Sequence, residues 1–190
     1  MLTTIAQEVM QDVSHWVGHY ENILDEAGCK SIMNYPWSWQ PSTYSNNAGV
    51  VEKSDERVRM DECWCIEENR PYPLLKKSVI EVMNIYAQEH ERFSCIHHTD
   101  FRLNKYGVSG FMSSHVDNIH HSHGQSYGYP QCSVLLFLND DYEGGEFIIA
   151  DKKYETKKGS AIIFPSNFMF PHEVKEVTKG ERWSIVSWLM

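Results

Sequence analysis

Two hydrophobic periods divide the chain. In the N-terminal half apolar residues recur at helical steps: Ile5, Val9, Val13 and Val17 stand four apart and mark one face of a helix. A second, shorter helix is predicted over 25–35, with Ala27, Ile32 and Met33 turned inward. Residues 36–54, rich in Trp, Ser, Asn and Pro, read as irregular, and 57–66 reads as a strand. The clearest helix covers 71–90. Its prolines fall at the start, where a missing N–H costs nothing, and Leu75, Val79, Val82, Met83 and Tyr86 form an apolar stripe suited to packing on a sheet. From about residue 95 the period shortens to two. Eight β-rich runs follow at 96–106, 109–116, 131–139, 145–150, 152–157, 160–165, 170–177 and 181–189, with turn signals at Gly144-Gly145 and Lys158-Gly159. The basic stretch 152–158 reads as a solvated hairpin. Short strands after a helical half predict an α+β protein, its strands forming a closed or two-sheet core braced by N-terminal helices. A length of 190 residues suits one domain, 1–190, with 1–95 as a support region and 96–190 as the core.

Composition narrows the function classes. With 42% hydrophobic and 23% charged residues the chain is in the globular range rather than the disordered one. A formal net charge of −9 argues against a nucleic-acid or anionic-membrane partner. No apolar run approaches the ~18–20 residues of a membrane span, and the N-terminus lacks the basic start and apolar block of a secretory signal. A soluble, intracellular protein is expected. The five cysteines are odd in number and irregularly spaced, which suits a reducing compartment, and Cys63 and Cys65, two apart in a strand, share a face and read as packing.

The chemistry-bearing residues lie in the β-rich half. His115 and Asp117 are two apart at the end of a predicted strand, so both side chains point to one face and can converge on one point. H-x-D alone is a weak signal; a third ligand must come from elsewhere, and His172, after Pro171, is the candidate. Two histidines and one carboxylate on one face of an octahedron suit non-haem iron(II), with positions left open for a bidentate co-substrate and dioxygen. Ten residues on, Arg182 opens the last strand. Alternation places Arg182, Ser184, Val186 and Trp188 on one face. If that face is interior, the guanidinium needs an anionic partner, which a ligand carboxylate provides, with Ser184 as a second donor. The competing reading is a solvated edge arginine paired with Glu181 or Glu176.

Taken in order, Tyr106, Gly110-Phe111, HVDN, LLFLNDDYEGGEF, KKGSAIIFPSNFMFPHEV and KGERWSIVSWL resemble the prolyl 4-hydroxylase branch of the iron(II)- and 2-oxoglutarate-dependent oxygenases. DDYEGGEF is similar to the small microbial PKHD-type hydroxylases, and PHEV with the R-x-S strand to the oxygen-sensing prolyl hydroxylases. The resemblance covers 96–190 strongly; Asn22-Ile23-Leu24 and Cys29 match more loosely. It implies a double-stranded β-helix, or jelly roll, of about eight strands. It implies iron at His115, Asp117 and His172, and 2-oxoglutarate held through its distal carboxylate by Arg182 with Ser184. Collagen-type members commonly carry Lys where Arg182 stands. A tyrosine that supports 2-oxoglutarate in some members aligns with Phe137, which cannot donate, so Tyr106 is the candidate for that hydrogen bond. Dioxygen is the other co-substrate, and ascorbate often supports this family by keeping iron reduced. The implied reaction is hydroxylation of a prolyl residue in a peptide or protein, with succinate and carbon dioxide released. Hydroxylation of a free amino acid or another small molecule, and a non-catalytic binding barrel, are the alternatives. Nucleic-acid demethylases usually place a second arginine where Trp188 stands, and halogenases lack the carboxylate that Asp117 supplies. Asn118, Tyr127, Tyr129 and Trp188 are candidate substrate contacts. The loop 118–130, with His120, His121 and His123, reads as a substrate-covering loop, a solvated turn or a second metal site.

Overall fold

The two-residue period of the second half is realised as two facing antiparallel sheets. In the computed structural model, residues 12–45, 51–52, 56–118 and 129–190 are described. The strands are β1 (Gly18–Tyr20), β2 (Gln40–Pro41), β3 (Tyr44–Ser45), β4 (Val51–Glu52), β5 (Val58–Arg59), β6 (Asp61–Cys65), β7 (Phe101–Tyr106), β8 (Phe111–His115), β9 (Cys132–Phe137), β10 (Glu143–Gly144), β11 (Phe147–Ile149), β12 (Lys152–Tyr154), β13 (Ala161–Pro165), β14 (His172–Val174), β15 (Val177–Lys179) and β16 (Arg182–Leu189). Seven form one sheet in the order β1-β13-β9-β16-β7-β6-β2, and five form a second in the order β12-β11-β14-β8-β5. The helices are α1 (Glu26–Met33) and α2 (Tyr72–Glu89).

Alternation sorts the large sheet's side chains between two apolar clusters. Leu103, Val134, Leu136, Ile163, Ile185 and Leu189 face outward and pack under Leu75, Val79, Val82 and Tyr86 of α2 and Cys29 and Ile32 of α1. Cys63 and Cys65 belong to this cluster as buried free thiols. Tyr106, Leu135, Phe137, Ile162, Val186 and Trp188 face inward and meet Phe147, Ile149 and Val174 of the smaller sheet. The helical stripe predicted over 71–90 therefore covers the sheet as expected, with Met83 only partly buried.

Several local expectations change. Ile5 and Val9 lie outside the described residues, and the four-residue spacing of Val13 and Val17 is not a helical face. Val13–Trp16 is one 3-10 turn capped by Asp12, and Val17 is already extended. The next residues pair with β13, Gly18 opposite Ile163 and Tyr20 opposite Ala161; a sheet edge offering unpaired backbone groups outweighs the helical spacing. In α1, Asp25 caps the helix by accepting from the Gly28 N–H at 2.7 Å, and the buried face is Gly28, Cys29 and Ile32, whereas Ala27 is exposed. The strand expected over 57–66 is two strands. β5 pairs with β8 in the small sheet and β6 with β7 in the large one, so the chain changes sheets at the buried Met60. The run 170–177 likewise divides, β14 joining β11 and β8 while β15 joins β10. The turn between β11 and β12 is Ala150-Asp151, both at positive φ, as a two-residue hairpin of right-handed twist requires even without glycine. Among the described residues no helix is long and apolar enough to cross a membrane.

Gly159 joins the sheet to the N-terminal segment. Its carbonyl accepts from the N–H groups of Ile23 and Leu24, and its φ is +79°. A Cβ there would collide with the Leu24 carbonyl oxygen. Gly159→Ala is expected to cost about 1–2 kcal/mol from left-handed backbone alone, and more from the collision. Urea unfolding checks this: the midpoint should fall with the m-value unchanged.

Candidate metal centre

Register brings the two histidines together. β14 runs antiparallel to β8 with His172 directly opposite His115, and Asp117 follows two residues after the strand end. The result is a cluster in which one ligand atom from each of His115, Asp117 and His172 lies within 4.8 Å of the others. His115 Nε2 is 3.6 Å from Asp117 Oδ1, and His172 Nε2 is 3.6 Å from Asp117 Oδ2. The imidazole centroids are 4.2 Å apart. Each ring is also held from behind. His115 Nδ1 is 2.9 Å from the Ser113 carbonyl and His172 Nδ1 is 3.2 Å from that of Phe170. A carbonyl only accepts, so each Nδ1 carries a proton, which leaves Nε2 as the atom each ring turns to the shared point. His172 and Asp117 are nearly enclosed, whereas the His115 side chain keeps 26% of its surface exposed, so the centre opens on that side.

The carboxylate is held charged. Burial would raise the Asp117 pKa, but His172, His115, the Ser133 hydroxyl and the Trp188 indole together bring it down to about 2. Ser133 Oγ donates to Asp117 Oδ2 at 2.7 Å and lies 2.8 Å from Ser166 Oγ. Burial, with the neighbouring His172, pushes His115 down to about 4, which keeps it neutral and ligand-competent near neutral pH. Two imidazoles and one carboxylate converging on one point fit a divalent transition metal.

Arg182 is wholly interior, with 0% of its surface exposed, so the solvated-edge reading is wrong. Its Nη1 donates to Ser184 Oγ at 3.0 Å. Nε and Nη2 have no hydrogen-bond partner among the described residues. Tyr106, directly opposite on β7, and Phe137 and Phe147 surround the guanidinium with ring centroids 5.3, 5.4 and 5.9 Å from its central carbon. Those aromatic faces ease the charge but leave two donors unused, a shape that fits an incoming carboxylate. Tyr106 is buried beside it, its phenol pKa raised by that burial.

The candidate substrate contacts separate. Trp188 is buried against Asp117. Asn118 is occupied structurally, its side-chain amide donating to the Pro130 carbonyl at 2.8 Å and its N–H to the Ser166 carbonyl at 2.9 Å. Tyr129 is exposed. Tyr127, His120, His121 and His123 lie outside the described residues. Sequence reasoning missed Ser133 and Ser166, because serines inside apolar strands carry no signal until the register places them beside Asp117.

Residues 101–190 match the family model described as the 2OG-Fe(II) oxygenase superfamily. A PKHD-type hydroxylase of Prochlorococcus marinus is 35% identical over 165 residues, covering 84% of this chain and 68% of that protein. Human prolyl 3-hydroxylase 2 is 41% identical over 70 residues, 33% of this chain, and the match spans only 10% of that protein. Among solved structures, a Pseudomonas putida prolyl-4-hydroxylase superposes with a TM-score of 0.68 at 15% identity, covering 100% of this chain and 98% of that one, which is a likeness of fold.

Asp117→Ala should abolish binding of iron(II) or manganese(II), read by anaerobic calorimetric titration. Ser133→Ala removes only the hydroxyl that orients the carboxylate and should weaken metal binding by about 10–100-fold. Unchanged affinity in Ser133→Ala would show that the 2.7 Å contact does not orient Asp117 for the metal.

Proposed function

The chain belongs to the 2OG-Fe(II) oxygenase superfamily, and on that premise we propose that it is a dioxygenase hydroxylating a prolyl residue in a peptide or protein. The observation that carries this reading is the enclosed, incompletely paired guanidinium of Arg182 behind a His-Asp-His cluster. A metal site alone fits many activities. A metal site with a buried cation awaiting a carboxylate calls for an anionic co-substrate, and the family implies iron(II), 2-oxoglutarate and dioxygen. The prolyl target is drawn from the relatives named for prolyl hydroxylation. The whole of 1–190 is taken as one oxygenase domain.

In this reading His115, Asp117 and His172 hold the iron, each histidine through Nε2. Arg182 and Ser184 bind the distal carboxylate of 2-oxoglutarate, and Tyr106 adds a phenol donor on the side where Phe137 has none. When bound, the iron with 2-oxoglutarate and dioxygen supplies a four-electron reduction of dioxygen: one oxygen atom enters the substrate C–H bond, the other enters succinate, and carbon dioxide leaves. The chain's own work is positioning and shelter. Apolar walls from Phe137, Phe147 and Phe164 keep water from the reacting space, and the Nδ1 contacts stop the imidazoles from turning.

Removing one partner of a desolvated charge pair costs about 3–5 kcal/mol, and each ~1.4 kcal/mol is tenfold. Arg182→Ala should therefore weaken 2-oxoglutarate binding by about a hundredfold or more while iron affinity changes little. Arg182→Lys should keep part of the affinity, retaining the charge and losing the fork. Titration of 2-oxoglutarate into iron-loaded protein, followed by the metal-to-ligand charge-transfer band, reads both. Mass spectrometry of prolyl peptides should then show the gain of a single oxygen atom. Turnover of methylated nucleic acid with every prolyl peptide ignored would sink the substrate assignment.

A further inference from the structure

The inward face of the large sheet carries a second arginine that neither the metal cluster nor the co-substrate reading uses. Arg102 of β7 lies opposite Val186 of β16 on one side and Trp64 of β6 on the other, so its side chain shares the face of Arg182 and Trp188. The two arginines mark different ends of that face. Arg182 pairs with Tyr106 and Arg102 with Val186, four residues along β16, about 13 Å at ~3.3 Å per residue. Asp117 meets the face at the Trp188 end: Ser133, its hydroxyl donor, is the cross-strand partner of Trp188. The Arg102 guanidinium lies over the Trp188 ring, 5.0 Å from its centroid. Trp64, 38% exposed, stands 6.1 Å from the same ring. Arg102 is thus at the lip of the metal centre, where the site meets solvent, and its side chain is 16% exposed.

Its pairing there is incomplete. Glu62 Oε2 is 3.7 Å from Nη1, longer than the ~2.7–2.9 Å of a charge-assisted hydrogen bond. The same Glu62 oxygen already accepts from Ser42 Oγ at 2.7 Å. Nε of Arg102 is buried and has no hydrogen-bond partner among the described residues. Glu62 therefore fixes one edge of the guanidinium and leaves Nε unspent. An apolar lip would serve a neutral substrate at lower desolvation cost; a partly desolvated cation with an unused donor favours a planar, two-oxygen anion.

We propose that Arg102 binds a carboxylate of the substrate, so that the C–H to be oxidised reaches the metal centre with that carboxylate on Arg102 and apolar carbons against Trp188 and Trp64. The inference rests on the oxygenase reading above and narrows its substrate class. The carboxylate has two sources: the terminal carboxylate of a free amino acid, or an Asp or Glu side chain beside the target residue in a peptide.

The test is equilibrium binding, by calorimetry, to protein loaded with manganese(II) and 2-oxoglutarate without oxygen. Two matched pairs separate the sources. L-Proline is compared with L-prolinamide, and a terminally blocked peptide containing Pro-Asp with the same peptide containing Pro-Asn. The acid of at least one pair should bind about 30-fold or more tighter than its amide, the factor expected when one partner of a desolvated charge pair is lost. Arg102→Gln should erase that difference and Arg102→Lys should keep part of it. A preference in the first pair assigns a terminal carboxylate, and in the second a side chain. Equal binding of acids and amides, no binding of any probe, or a preference that survives in Arg102→Gln overturns the inference. The charge-transfer band of the iron(II) and 2-oxoglutarate complex keeps the two readings apart. Wild-type protein without the band fails as a 2-oxoglutarate oxygenase, whereas a normal band with no acid preference fails only the role of Arg102. The band also reports whether Arg102→Gln is folded; if it is not, Arg102→Lys carries the test, and an undiminished acid preference there overturns the inference.

Discussion

A guanidinium enclosed between two sheets is the constraint around which the other features fall into place. Arg182 has no exposed surface, one hydroxyl partner and three aromatic rings about it. A charge in such a setting is costly unless paired, and aromatic faces supply only part of what water gave. The protein tolerates the cost because the surrounding walls are rigid: Arg182 is the first residue of the eight-residue β16, paired on both sides by β7 and β9. A buried guanidinium with two donors unused recovers the free energy of pairing only when an anion reaches it.

The two-residue period distributes the chemistry as well as the packing. On β16 the outward residues Ile185 and Leu189 lie in the cluster beneath the helices, while the inward row runs from Arg182 to Trp188. A slip of one residue in this strand would send Arg182 toward α2 and bring Trp183 and Ile185 inside. The register is therefore fixed by the apolar residues on one face and pays out as geometry on the other. The same holds between β8 and β14, where one antiparallel pairing places His172 opposite His115. The helices contribute nothing to the cluster directly; by covering the outer face they keep the large sheet in the register that builds it.

Legibility followed range along the chain. His115 and Asp117 could be read because two residues in a strand share a face, and Arg182 because alternation across eight residues offers only two orientations. The stripe on α2 was legible for the same local reason. The readings that failed depended on what a segment meets. Val13 and Val17 have helical spacing, yet the following residues complete the edge of β13. Residues 57–66 look continuous, yet β8 and β7 claim different halves. Ala27 looked inward on a helix whose rotation is set by Asp25 capping and by the burial of Gly28 and Cys29. Ser133 and Arg102 were invisible for a stronger reason: each acts through a cross-strand neighbour, and no pattern within its own strand names that neighbour.

Trp188 shows how the two ends of the site are joined. Its ring belongs to the cluster between the sheets, its indole helps hold the charge of Asp117, and its face carries the guanidinium of Arg102. One side chain thus touches the metal carboxylate on one side and the cation at the lip on the other. A phenyl ring could pack in the same space but would bring no N–H dipole near Asp117, and an aliphatic chain would give Arg102 no π face. The requirement for both, in a residue that must also fill the core, explains an aromatic with an N–H at this position. The guanidinium of Arg102 and the carboxylate of Asp117 are thus held against one buried ring.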